Sequence, residues 1–491
     1  MQLYDKDLLS VQEVRELVEK AKAAQEELSQ KSQAEVDAIV KSIAYAGVRN
    51  AKRLAKLAHE ETGFGIEADK VIKNIFGSRD VYEHIKDMKT IGELGYDEEK
   101  KVRTIAVPVG VIAGLIPSTN PTSTAFYKSE ISIKAGNAIV FSPHPNARNC
   151  ILEAVKVIRQ AIAEAGGNEN LVSCITIPTI QATDNLMKHP DVALILATGG
   201  SAMVRAAYSS GTPAIGVGPG NGPAYIEKTA DLPLAVKRIM DSKTFDNGTI
   251  CASEQSVVCD KDMEDAVRAE MEKQGAYFLT DEQIAKLGKF ILRANGTMNP
   301  MIVGKSAQVI ADLAGIDIPA ETKVLVAKET GIGRGHPYSN EKLAPILAFY
   351  TADDYKEICR LVQDILHYEG AGHTFSMHTK DPEMVNYFAM RVPASRIIVN
   401  TPSALGGIGG TTGLMPALTL GCGAIGGSAT SENVGPMNLL NKRHVAEGLL
   451  ELDEIKAGLP TCTDGMCSGP KAEDVDIDAV VNEIVKRLRS M

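Results

Sequence analysis

The chain lacks any apolar run approaching the ~20 residues that span a bilayer, and its first stretch, MQLYDKDLLSVQEVRELVEKAKAAQ, reads as a helix with charges of both signs rather than an export signal. It also lacks a positive excess. With 52 Lys and Arg against 62 Asp and Glu, the formal net charge is −10, which argues against nonspecific binding to nucleic acid or anionic membranes. No G-x-x-x-x-G-K-[ST] occurs, which removes the commonest ATP-binding loop. The 8 cysteines have no framework spacing, so a reducing cytoplasm is expected rather than a disulfide scaffold. Cys462 and Cys467 have no further Cys or His at ligand spacing, and no metal site is expected. Small molecules are the default partners.

What is present is a chain of 491 residues, 44% of them hydrophobic, long enough for two or three domains. From Ser10 to about Met88 apolar residues recur every three or four positions, which predicts amphipathic helices. Beyond KVRTIAVPVGVIAGLIPSTNP come short apolar runs, NAIVFSP, LVSCITIP, VALILATGG, TPAIGVGPG and GPAYIEK, alternating with helix-like segments. Such alternation predicts a parallel sheet in an α/β domain. A second α/β region is expected from LPLAVKRIMDSKTF through MIVGK, TKVLVAKE, PILAFYTA, TFSMHT and SRIIVNTPS, with the chemistry between the two. A glycine-rich stretch from Gly406 to Gly435 follows, and AGLPTCTDGMCSGPKAED reads as a linker to a terminal helix.

Two segments invite a ligand. Gly421, Gly423 and Gly426 satisfy G-x-G-x-x-G, but the turn formers after them offer no helix N-terminus to a pyrophosphate. VALILATGGSAMVRAAYSSG does better: a buried strand runs through Thr198, Gly199 and Gly200 into a helical pattern, presenting backbone N–H groups to a phosphate. An ordinary strand–turn–helix connection fits the same pattern. Cys251 lies between NGT and ASEQS, flanks that suggest a loop with backbone donors beside an accessible sulfur. Buried structural cysteine is the competing reading.

FDNGTICASEQSVV closely resembles the active-site cysteine segment of the aldehyde dehydrogenase superfamily, in its acylating, coenzyme-A-dependent branch. Further segments agree in order: GVIAGLIPSTNPTSTAFYKSEISIKAGNAIVFSPHPNA, HPDVALILATGG, AAYSSGTPAIGVGPGN, EKLAPILAFY, GAGHT and LTLGCGAIGGSATSENVGP. The similarity covers roughly residues 1 to 448 and matches the aldehyde half of bifunctional aldehyde/alcohol dehydrogenases; the iron-dependent half is absent.

The resemblance implies an α/β aldehyde dehydrogenase fold: a Rossmann-like NAD-binding domain at 1–95 and 109–228, and a catalytic domain at 229–406 carrying Cys251. It also implies a small β element for oligomerisation and the CoA side at 96–108 and 407–448, then a linker at 449–474 and an amphipathic helix at 475–491. It makes Cys251 the nucleophile, Asn120 a donor to the oxyanion, and His373 a neighbour that tunes the cysteine or assists coenzyme A. It assigns NAD to Thr198, Gly199, Gly200, Ser142, Pro143, Gly218 and Glu341. Ser142 and Pro143 stand where hydrolytic relatives carry a lysine beside the adenosine ribose.

Hydrolytic relatives also place a water-activating glutamate where this chain has Gly216, Val217 and Gly218, so acyl-CoA is favoured over a free acid. The expected substrate is a short aldehyde, acetaldehyde first, with propionaldehyde and sulfoacetaldehyde as alternatives. A hydrolytic dehydrogenase and an enzyme-derived scaffold protein remain rival classes. A homo-oligomer is expected through strands near Lys100–Val107 and Asn438–Val445. The apolar stripe Ile477, Val480, Val481, Ile484, Val485 and Leu488 resembles encapsulation peptides that bind bacterial microcompartment shells.

Overall fold

The computed structural model describes residues 5–293 and 296–457. Two compact units emerge, Met1–Gly92 with Ala106–Lys442, and Glu93–Ile105 with the chain from Arg443 onward. The first unit opens with the expected helices. Lys6–Leu28 is capped by the Asp5 carboxylate, and Gln33–Thr62 starts in a Ser32/Glu35 capping box and stops at Gly63, whose φ of 64° ends the helix. The third helix, Glu67–Ile75, departs from the amphipathic expectation. It buries Lys70, Lys73 and Asn74 while Ile72 stays 51% exposed, because its polar face meets a buried carboxylate described below.

The strands in chain order are β1 Gly92–Asp97, β2 Val102–Pro108, β3 Val111–Ile116, β4 Ala138–Pro143, β5 Val172–Cys174, β6 Val192–Thr198, β7 Ala214–Val217 and β8 Gly222–Ile226. They continue as β9 Glu254–Asp260, β10 Ala276–Phe278, β11 Val324–Lys328, β12 Ile346–Ala352, β13 Gly372–His378, β14 Ala394–Val399 and β15 Leu440–Ala446. Within the first unit, five parallel strands take the order β5-β4-β3-β6-β7. Counted along the chain this is 3-2-1-4-5, the Rossmann-like arrangement whose order reverses between β3 and β6. Ligands bind such sheets outside the carboxyl ends of the strands at that reversal. The strands are near-continuous apolar runs because helices cover both faces.

A second parallel sheet takes the order β10-β11-β12-β9-β8-β13-β14. β8, which an expected boundary at 228 leaves with the first sheet, lies in the second, paired with β9 and β13. The four-residue link between Val217 and Gly222 is too short to return β8 beside β7 by a crossover of a dozen or more residues. MIVGK, a segment of the expected second α/β region, is a run of turns with Gly304 at φ 63°, pinned where Gly304 donates to Leu343 O at 2.8 Å and accepts from Gly65 N at 2.8 Å. The glycine-rich Gly421–Gly427 forms a tight turn around the 3-10 segment Ala424–Gly426, with no helix after it.

β1, β2 and β15 form a three-stranded sheet, and all of β15 beyond Leu440 is exposed. Within 449–474, expected as linker, Leu452–Ala457 is helical, its start supported where Glu451 N donates to the Glu454 carboxylate at 2.7 Å. Cys462, Cys467 and the expected helix at 475–491 lie outside the described residues. No described helix is long and apolar enough to cross a membrane.

Candidate active site

A cavity of about 470 Å³ opens at the reversal point of the first sheet. Pro117–Asn120 follow β3, Gly199 and Gly200 follow β6, Gly218 and Pro219 follow β7, and His144 and Asn146 follow β4. The second sheet contributes Thr249 and Cys251 ahead of β9 and Glu341 and Leu343 ahead of β12. Phe64, Met203, Met298, Val303 and Leu418 supply an apolar flank.

The sequence-predicted residues therefore largely converge. Cys251, Asn120, Thr198, Gly199, Gly200, Gly218 and Glu341 all line this cavity. Ser142 and Pro143 do not. Ser142 is buried at the end of β4 and shares a hydrogen bond with the Thr183 hydroxyl at 2.8 Å, leaving the wall there to His144 and Asn146. His373 also stands back, fully buried at the start of β13. A Cβ built on Gly220 would come within 2.0 Å of the Cys251 carbonyl oxygen and 3.0 Å of His373 Cε1, so glycine is what lets these three segments meet.

Cys251 stands on a turn that the fold forces. Asp246 and Asn247 have φ of 48° and 51°, a left-handed conformation costly for residues other than glycine and best tolerated by Asp and Asn. Both are pinned. Asn247 donates to Gly304 O at 3.0 Å, Asp246 N donates to the Asp69 carboxylate at 2.7 Å, and one Asp246 carboxylate oxygen accepts from Ile66 N at 2.6 Å. The other oxygen accepts from Lys70 at 3.0 Å, Lys73 at 2.5 Å and the Thr249 hydroxyl at 2.7 Å. Strain of this kind persists where the surroundings over-determine it. The chain then passes Thr249, presents Cys251, and enters fully buried β9.

The electrostatics are those of a dry pocket. Burial, with Glu341 and Cys422 nearby, pushes the Cys251 thiol up to about 12, against the pull of Arg396. Burial and Glu369 raise the Glu341 carboxyl to about 8, although one of its oxygens accepts from Gly220 N at 2.7 Å. Burial, aided by Arg396, holds His373 well below its usual range, so the ring is neutral at physiological pH. Its Nδ1 pairs with the Thr374 hydroxyl at 2.9 Å, and its Nε2 has no hydrogen-bond partner among the described residues. A neutral imidazole keeps one N–H to donate in a hydrogen bond and one lone pair to accept, so it can orient a neighbour.

The nucleotide side fits a dinucleotide. The helix Ser201–Tyr208 begins at Gly200, and no atom lies within 4 Å of where a Cβ would stand on Gly200 or Gly218, leaving an open cradle beside helix N–H groups. Sequence reasoning missed Lys70, Lys73 and Asp246. The available signal was a pair of lysines three apart, on the face of EADKVIKNI where the helical period alone predicts solvent.

Residues 3–326 match the model of the aldehyde dehydrogenase family. The chain is 46% identical over 443 residues to the bifunctional aldehyde-alcohol dehydrogenase AdhE of Escherichia coli K12, covering 89% of this chain and 50% of that protein. It thus spans about half the length of the curated bifunctional relatives it matches. Among solved structures, a probable aldehyde dehydrogenase from Listeria monocytogenes EGD-e superposes with a TM-score of 0.91 at 64% identity, covering 92% of this chain and 100% of that one. An acetylating aldehyde dehydrogenase from Geobacillus thermoglucosidasius gives 0.90 at 51% identity, with 92% and 99% covered. A propionaldehyde dehydrogenase from the fucose utilisation bacterial microcompartment of Clostridium phytofermentans gives 0.80 at 28% identity, with 88% and 97% covered.

Proposed function

Because the chain belongs to the aldehyde dehydrogenase family, we propose that it oxidises a short aldehyde, acetaldehyde first, with NAD and passes the acyl group from Cys251 to coenzyme A. The observation that carries this reading is one cavity wall bearing Cys251 and Asn120 beside Val217 and Gly218, where no carboxylate stands ready for water. Glu341 also lines the cavity, but one of its carboxylate oxygens is already engaged by Gly220 N at 2.7 Å and its chain position is ahead of β12, not in the Gly216–Gly218 segment where hydrolytic relatives place their base.

Cys251 sulfur, having given up its proton, adds to the aldehyde carbon. The resulting oxyanion is held by the Asn120 side-chain N–H and the Cys251 backbone N–H. Thr198, Gly199, Gly200 and Gly218, with Glu341 for the nicotinamide ribose, would hold NAD, which would supply the hydride acceptor. His144 and Asn146 take the place on the cavity wall expected of Ser142 and Pro143. Collapse of the oxyanion leaves a thioester on Cys251. A thioester is already an activated acyl group, so the coenzyme A sulfur displaces Cys251 without a dedicated base for water. Aldehyde, NAD⁺ and CoA give acyl-CoA, NADH and a proton, and the energies of thioester and aldehyde leave reversal open.

Purified protein given acetaldehyde and NAD should form NADH continuously only when CoA is added, with at most one equivalent per active site without it. Steady turnover lacking CoA would instead establish a carboxylic acid as product. Propionaldehyde and sulfoacetaldehyde in the same assay rank the substrates.

The reading extends to a cytoplasmic homo-oligomer whose residues 475–491 dock on a microcompartment shell, supported by the apolar stripe from Ile477 to Leu488. Removing residues 475–491 should leave NADH formation unchanged and abolish co-sedimentation with shell protein. Undiminished co-sedimentation would defeat the assignment.

A further inference from the structure

We propose that Lys73 is a positioning residue: its buried ammonium fixes which end of the Asn120 amide faces the reacting carbonyl, and so makes Asn120 an oxyanion donor. The proposal rests on the reading above that Cys251 and Asn120 share an oxyanion. Lys73 is 2% exposed and donates to three acceptors: Asn120 Oδ1 at 2.6 Å, the Asp246 carboxylate at 2.5 Å and the Thr249 hydroxyl at 2.8 Å. An ammonium can only donate, so the amide oxygen must point at Lys73 and the amide nitrogen away from it. That nitrogen approaches Thr249 O and the Thr119 hydroxyl, both at 3.3 Å, long contacts that leave it free to turn toward a better acceptor in the cavity.

The charges around Lys73 support the same role. Asp246 carries a charge shared by Lys70 and Lys73, and the half-buried Asp69 faces the same group through Asp246 N. Burial would raise Asp246, but Lys73 and Lys70 outweigh it and hold the carboxyl below its usual range. Two cations therefore meet two carboxylates, Asp246 and Asp69, beneath Asn120, and Lys73 is the cation that touches the Asn120 amide. Lys70 takes the remaining slot, donating to Asp246 and to Thr119 O at 3.2 Å. Gly65 makes room for this carboxylate, since a Cβ there would lie 1.8 Å from Asp246 Oδ1.

Burial lowers the Lys73 ammonium to about 8, with Asp246 opposing and Lys70 reinforcing. Above that pH the neutral amine gains a lone pair, either end of the amide satisfies it, and the orientation is lost.

The test compares K73M, N120A and the double variant in the full chain by two readouts. One is CoA-dependent NADH formation. The other is acylation of Cys251 by p-nitrophenyl acetate, which passes through the same kind of oxyanion without aldehyde, NAD or CoA. K73M should slow both by ten- to a hundred-fold, less than outright loss of a donor at ~10²–10³, with KM for aldehyde within about twofold. It should add little to N120A, as coupled groups do. Wild-type acylation should stop rising above about pH 8 while that of K73M continues to rise with the thiolate. Iodoacetamide alkylation of Cys251, which forms no oxyanion, should be unchanged in K73M and serves as the control for folding. Full acylation rates in K73M, or effects that multiply with N120A, overturn the proposal. Wild-type acylation that depends on Lys73 without any aldehyde turnover would overturn the proposed substrate and leave the positioning role standing.

Discussion

Cys251→Ala is expected to abolish CoA-dependent NADH formation, by at least ~10⁴-fold, because Cys251 is the one thiol among the described residues lining the cavity. Among the described residues the other thiols are no substitutes: Cys150, Cys174, Cys259, Cys359 and Cys422 are all buried and absent from the cavity lining. Cys251→Ser should be almost as damaging, since a hydroxyl is far harder to ionise than a thiol. The free protein also has a pH signature. With its thiol pushed up to about 12, Cys251 is protonated at neutral pH, and its thiolate fraction grows about tenfold for each pH unit between 7 and 10. Iodoacetamide labelling of the Cys251 peptide, followed by mass spectrometry, should climb with that slope. A plateau near pH 7 would show that some other group already ionises the thiol.

Asn120→Ala should lower kcat by ~10²–10³, about 2.7–4 kcal/mol of oxyanion stabilisation, with a much smaller change in KM. A donor aimed at the oxygen only as it gains charge contributes little to binding the neutral aldehyde, so the loss belongs to kcat. The substitution also leaves Lys73 with two acceptors in place of three. A buried ammonium short of one partner is destabilising, and a modest fall in Tm should accompany the kinetic loss. Steady-state kinetics beside thermal unfolding separates the two effects, and an unchanged kcat would remove Asn120 from the chemistry.

The parts legible in the sequence were those written in local periodicity. β4, β6, β11 and β12 fall inside apolar runs bounded by turn formers, β13 and β14 overlap the segments read for them, and VALILATGG opens onto the cavity as its strand–glycine–helix pattern implies. MIVGK has the composition of a strand, but ties from Gly304 to Gly65 and Leu343 outweigh local propensity. The three-residue β10 is too short to leave a periodic signal. For Cys251 and Asn120 the resemblance to a family decided what spacing could not, because a turn cysteine and an asparagine before proline are commonplace by themselves. Lys73 is separated from Asn120 by 47 residues and from Asp246 by 173. A contact of that kind exists only after folding, and in the primary structure Lys73 resembles every solvated lysine around it.

The close approach of Gly220 to the Cys251 carbonyl, behind the cavity, separates positions that can change from one that cannot. Where backbone lies against backbone, no rotamer can give way, so a single added methyl group displaces the nucleophile itself. Phe64, Met203, Met298 and Leu418 line the cavity with apolar side chains, whose bulk can be exchanged for others of similar volume at modest cost. Laboratory evolution toward longer or bulkier aldehydes should therefore gather its accepted mutations on that flank, while the glycine floor stays invariant.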